Sequence, residues 1–147
     1  MLARVDASVS MAAVLSFHWC LFWLLNGFDK FFNSTDFFGA NFKGMLEGEL
    51  LGRLNLDASL AQPIAVVVGI IELVLGVLFL AALAGVLGRR AGAGRALSGC
   101  ITLSVLFFAL LTAGSILFGA RDQMLQQGVF IAALLGSRLV VGSGDSA

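Results

Sequence analysis

Glu72 is the only charged residue in an apolar run over 64–87, and a carboxyl in that setting has few uses. An ion at bilayer depth costs about 2.5–3.5 kcal/mol even on insertion scales, so the group needs an interior position with a partner or a proton. Held that way, it can relay a proton or orient a cationic or hydrogen-bonding guest. The first candidate neighbour is His18, the only histidine in the chain. At about 100° per residue, His18, Phe22, Asn26 and Asp29 share one arc of about 80°. Counting about 1.5 Å per residue puts His18 about 21 Å and Glu72 about 18 Å from the same edge of an antiparallel helix pair. The expectation is an imidazole and a carboxylate sharing a pocket near the midplane.

Further along, Ser104, Thr112 and Ser115 align with Phe108 and Gly119 in a hydroxyl stripe, and Gln127 and Arg138 add polar groups from the last apolar segment. If these faces converge, the interior suits a quinone head group or a short proton path. The same residues also admit a structural reading. Hydroxyls in membrane helices bond to the carbonyl four residues back, and a buried His18–Glu72 pair can simply fix helix register. Asp29 and Lys30 are expected near the outer interface, where lysine extends toward the headgroups, with Asp29 at the mouth of the His18 track.

These groups must be positioned by membrane helices. The chain has 147 residues, of which 59% are hydrophobic and only 12% charged, with mean hydropathy +0.99. That is too apolar for a soluble domain of this size. A helix needs about 20 apolar residues to cross about 30 Å of hydrocarbon, and the stretches 10–32, 60–87, 97–120 and 123–142 meet or approach that length. The expected fold is all-α: a polytopic four-transmembrane-helix bundle with one longer outer loop, a single domain over 1–147. The apolar run after the short N-terminal segment is too long for a signal-peptide core, so the first span is expected to be retained.

Packing is expected through small residues, because lipid supplies no hydrophobic force between helices. Ala65, Gly69, Glu72, Gly76, Phe79 and Leu83 fall within about 80° on the second span. Pro63 fits the first turn of that span, where its missing N–H costs nothing. The loop segment 41–55 has helical composition and two potential (i, i+4) ion pairs, Lys43 with Glu47 and Glu49 with Arg53, yet on a helical wheel its apolar residues form no single face. Asn33-Ser34-Thr35 matches the glycosylation acceptor pattern, a match too short to carry weight.

Net charge is zero, so there is no basic excess for nucleic-acid phosphates. Arg89, Arg90 and Arg95 crowd the loop between the second and third spans, with Arg4 and Arg138 on the same side; Lys30, Lys43, Arg53 and Arg121 lie opposite, diluted by acids. The positive-inside rule then places both termini in the cytoplasm. Cys20 and Cys100 fall at different depths, which disfavours a disulfide and leaves them as small apolar residues. One histidine and two distant cysteines supply neither a haem nor a zinc ligand set, so no metal site is expected. No oriented nucleophile triad is visible.

Gly27-x-x-Lys30 closing the first span, Glu72 followed by Gly76 in the second, Arg121-Asp122 opening the fourth, and four spans in under 150 residues resemble the DoxX-like family of small four-helix membrane proteins. That resemblance implies a small membrane subunit of a respiratory or redox assembly. The family includes membrane subunits of thiosulfate:quinone oxidoreductase, and its members of that kind carry no tightly bound metal. The chain departs from the family pattern in lacking an arginine near Val14 or Leu15, and His18 is not part of that pattern. The expectation is an integral protein of a bacterial inner membrane, contacting lipid and other membrane subunits. It would be a non-catalytic or quinone-facing subunit rather than an independent enzyme, with no tightly bound cofactor beyond a possible quinone. The alternative is a structural or assembly subunit whose outer loop docks a partner.

Overall fold

Four helices carry the apolar runs: α1 (Leu2–Phe32), α4 (Ala61–Leu87), α5 (Ala93–Phe118) and α6 (Arg121–Gly144). The computed structural model describes residues 2–32, 42–118 and 121–144, with side chains for 11–31, 42–48, 50–116 and 123–141. Each of the four helices is long and apolar enough to cross a membrane, and no strand occurs among the described residues. The fold is therefore an all-α four-helix membrane bundle. Hydrocarbon offers no water to backbone N–H and C=O groups, and a helix satisfies them within itself. Large apolar side chains cover the outside, among them Val14 and Phe17 of α1, Val67 and Val77 of α4, and Leu125 and Leu139 of α6.

The closest contact is between α1 and α4, and it is made by glycine. A Cβ built on Gly76 would stand 2.6 Å from Leu24 Cδ2 and 3.0 Å from the Leu24 backbone nitrogen. One on Gly69 would meet the Gly27 carbonyl and Lys30 Cβ, each at 3.1 Å, and one on Gly27 would meet Leu73 Cγ at 2.8 Å. Backbone therefore lies directly on neighbouring side chain and backbone, the packing that small residues permit in lipid. Ala65, Gly69, Glu72, Gly76 and Phe79 are all buried on the expected face of α4, with Leu83 half-buried. The tight turn from α4 to α5 uses Arg89 (φ 49°) and Gly92 (φ 84°) in the left-handed region.

Between α1 and α4 the chain forms α2 (Phe42–Met45), a π-helical stretch (Leu46–Leu51), α3 (Gly52–Leu54) and a 3₁₀ turn (Ala58–Leu60). The expected helix over 41–55 is present in this broken form, and the π turn explains why an α-helical wheel gave no clean face. Leu46 and Leu51, five apart, are both buried and pack with Ala61 and Ala65, a spacing that a wider i→i+5 turn brings to one side. Of the two expected ion pairs, Lys43–Glu47 is seen at 3.8 Å between half-exposed side chains; the Glu49 side chain lies outside the described residues, as do Asn33-Ser34-Thr35. Asp57 caps the approach to α4 by accepting from Ser59 N at 2.8 Å. Hydrogen bonds from the Ser59 backbone and then its side chain hold the Asp57 carboxyl below the usual carboxylate range.

The buried core is aromatic and aliphatic: Trp19, Trp23, Phe79, Leu97, Ile101, Phe107, Phe108 and Leu134. Cys20 and Cys100 are both free and buried in it. Because overpacking a tight contact costs about 1–3 kcal/mol, Gly76→Ala should lower the thermal stability of the detergent-solubilised protein. Gly128→Ala, where a Cβ meets nothing within 4 Å, should leave it unchanged or raise it. Equal effects of the two substitutions would mean that α1 and α4 are not in glycine contact.

Candidate functional site

The glycine contacts fix the register of α1 against α4. Gly76 sits on Leu24, so in an antiparallel pair Glu72 is level with residue 28, and Lys30 Cβ lies against Gly69. From there the lysine side chain reaches back about half a turn into the bundle. Lys30 Nζ meets Glu72 Oε2 at 2.6 Å, with only 8% and 6% of the two side chains exposed. The same ammonium donates to the Asn26 carbonyl, one turn back on its own helix, at 3.3 Å. The Phe42 ring lies over it with 4.8 Å from Nζ to the centroid, a geometry in which the ring face attracts the cation. Asn26 turns its own amide back to the Phe22 carbonyl at 2.7 Å, and Asp29 is buried beside the pair at 7% exposure.

This placement corrects the expectation for Lys30 and Asp29, which the sequence put at the headgroup interface. Lysine extends outward when nothing inside competes for it; here Glu72 does, about 3 Å deeper and across a glycine contact. α4 runs eight residues, about 12 Å, beyond the level of Gly69, and the segment around Phe42, Leu46 and Leu51 packs beside that extension, with the Phe42 ring over the ammonium.

His18 is also not where the sequence put it. It is exposed on the outside of α1, edge-on to Trp19 with ring centroids 5.1 Å apart. It also lies ten residues, about 15 Å along the axis, from the level of Glu72. It shares no pocket with that carboxyl. Of the helical arc that joined His18 to Phe22, Asn26 and Asp29, only the His18 end is exposed; Phe22 already packs against Phe108 and Phe130.

The remaining candidates separate by depth. Ser115 and Gln127 are both buried and bond to each other, Gln127 Nε2 donating to Ser115 Oγ at 3.2 Å. Trp23 contacts Phe108, and Ser115 and Lys30 each follow seven residues later on parallel helices, so the amide–hydroxyl pair lies at the level of Lys30. Thr112 donates to its own Phe108 carbonyl at 2.8 Å, the structural behaviour foreseen for such hydroxyls. Ser104 is deeper and fully buried. Arg138 does not join Gln127 inside: it is exposed and donates to Thr102 Oγ1 at 3.2 Å. Gln123 of α6 donates to the Met45 sulfur, tying the capping segment to the other side of the bundle. Neither Phe42 nor Met45 was legible as a site residue, because nothing local marks a loop residue that folds back over an ion pair. The side chains of Arg121 and Asp122 lie outside the described residues.

The assembled site is a polar layer in the capped half of the bundle, built from Lys30, Glu72, Asn26, Asp29, Ser115 and Gln127 above an aromatic floor of Phe22, Trp23, Phe108 and Phe130. Transfer of one proton from Nζ to Oε2 would convert the ion pair into a neutral amine and acid, so the pair can hold a proton in either place. Among the described residues no group of His, Cys, Asp or Glu could hold a metal ion. Comparison with protein-family models, with curated proteins and with solved structures found no match.

Breaking a buried pair from one side costs about 3–5 kcal/mol, because the surviving charge stays buried, whereas replacing both partners by apolar groups is often neutral. Lys30→Met and Glu72→Met should each strongly destabilise the solubilised protein. The double substitution should recover most of the loss, measured by chemical or thermal unfolding. Additive losses would show that the two groups are not coupled.

Proposed function

We propose that this chain is a small integral membrane subunit of a respiratory or redox assembly, quinone-linked, with the Lys30–Glu72 layer as its interior polar site. The observation that supports this reading is the meeting of two separated motifs. Gly27-x-x-Lys30 and Glu72-x-x-x-Gly76 carry the resemblance to the DoxX-like family, and they form one contact in which the glycines bring the helices together and the charges pair. The convergence of both motifs on one buried ion pair is what supports the reading. In this reading the aromatic floor accommodates a flat head group, the polar layer supplies hydrogen bonds and a proton, and both termini face the cytoplasm with the Arg89–Arg90 turn.

A second reading is favoured by a specific observation: the Lys30 ammonium is satisfied entirely from within, by Glu72, the Asn26 carbonyl and the Phe42 ring. Such a pair can serve register alone, making the chain an assembly or structural subunit with the capping segment as its docking face.

Gentle purification from native membrane, with identification of co-eluting chains and extracted quinone, tests the first reading; it expects redox partners in the eluate. Glu72→Gln then separates the two. The quinone-linked reading expects turnover per assembled complex to fall at least tenfold, while the structural reading expects turnover to track abundance. Recovery only as a free monomer without redox partner or quinone would sink the first.

A further inference from the structure

Two polar atoms in the core have no hydrogen-bond partner among the described residues: the indole Nε1 of Trp23 and the hydroxyl Oγ of Ser104. Both residues are 0% exposed. Leaving a buried donor unmade is costly, and comparable groups in this bundle avoid it. Ser16, Thr102, Thr112, Ser115 and Ser137 each donate to the carbonyl four residues back. The Trp19 indole donates to Ser137 Oγ at 3.2 Å. Ser104 has the same helical opportunity at the Cys100 carbonyl and does not take it.

Both orphans lie within about one helical turn of the level of Phe108. Trp23 packs against Phe107 and Phe108 with ring centroids 5.8 and 5.0 Å apart, and Ser104 stands one turn before Phe108 on the buried side of α5. Phe108 in turn stacks on Phe130 at 5.2 Å. The buried cluster around Trp23 is hydrocarbon and aromatic apart from the weakly polar thiols of Cys20 and Cys100. The two orphans offer one N–H, which can only donate, and one O–H, which can donate or accept. Neither group carries a charge with which to hold an ion, so the pair suits an uncharged oxygen with free lone pairs.

We propose that Trp23 and Ser104 form a binding site for a single uncharged oxygen acceptor at the aromatic centre of the bundle. That oxygen belongs either to an internal water, which such polar groups hold when buried, or to the carbonyl of a flat lipophilic ring, which would accept from both donors. The carbonyl source rests on the quinone-linked reading above; the water does not.

Nuclear magnetic resonance on the full ¹⁵N-labelled chain in detergent micelles tests it, with the two indole Hε1 signals assigned through Trp19→Phe. An internal water gives a water–Hε1 cross-relaxation peak at Trp23 that Ser104→Ala removes. A carbonyl guest gives a saturable shift of the Trp23 Hε1 on titration with decylubiquinone while the Trp19 signal holds still. Ser104→Ala should then weaken binding about tenfold, the factor expected for one lost hydrogen bond. Either result supports the site. The water peak without any decylubiquinone shift supports the site while counting against the quinone-linked reading of this layer. Absence of both signals overturns the proposal.

Discussion

The Lys30–Glu72 ion pair constrains the rest of this bundle. Two opposite charges withdrawn from water recover their hydration only when they meet at hydrogen-bond distance with further donors or acceptors around them, and in hydrocarbon an unpaired one is costlier still. The 2.6 Å contact therefore demands that α1 and α4 approach closely and hold one register. Gly27, Gly69 and Gly76 make that approach sterically possible. The dependence is mutual: larger residues there would separate the charges, and without the charges the glycine contact would have less to hold it in one register. The capping segment belongs to the same requirement, because Phe42 covers the ammonium and Leu46 and Leu51 anchor on the part of α4 that extends past the pair.

Depth organises the remaining interior. Polar groups that pair across helices, Lys30 with Glu72 and Ser115 with Gln127, occupy the capped half. Below them the aromatic rings of α1, α5 and α6 fill the centre, where their edge and stacked contacts favour defined positions. Toward the arginine turn the hydroxyls of Ser16, Thr102 and Ser137 return to their own helices, leaving cross-helix polar contact to Trp19–Ser137 and to Arg138–Thr102. A ligand or proton entering from the capped side would meet charge first and aromatic surface second. Entry from the arginine side would meet mostly self-satisfied hydroxyls. The polarity of the interior is thus directional.

The helices were legible because hydrocarbon imposes a length and composition that few other structures share, and the inward face of α4 was legible because its glycines recur at helical spacing around one acid. Residues on a single helix can be aligned by angle, which placed Glu72 inward correctly. Partners on different helices cannot, since relative register depends on which side chains are small enough to touch. Measuring depth from assumed span ends put His18 level with Glu72. The real register, set by Gly76 on Leu24, moves them about 15 Å apart and brings Lys30 in instead. The π turn was hidden for a related reason, because an α-helical period was assumed where the chain uses a wider one. Arg138, grouped with Gln127 on one side of the last apolar segment, lies instead on the outside, where its long side chain donates to Thr102.

The lysine of α1 turns inward to the acid of α4 rather than outward to the headgroups. The chain contains two lysines, Lys30 and Lys43, so a Lys43→Arg variant labelled with ¹⁵Nζ-lysine and ¹³Cδ-glutamate in lipid bilayers isolates the one distance that matters. Solid-state dipolar recoupling should show strong dephasing of the Lys30 signal, the mark of direct contact, and Glu72→Gln should abolish it. A Lys30 signal that shows no coupling to glutamate carbon, in protein that is otherwise folded, would contradict the account.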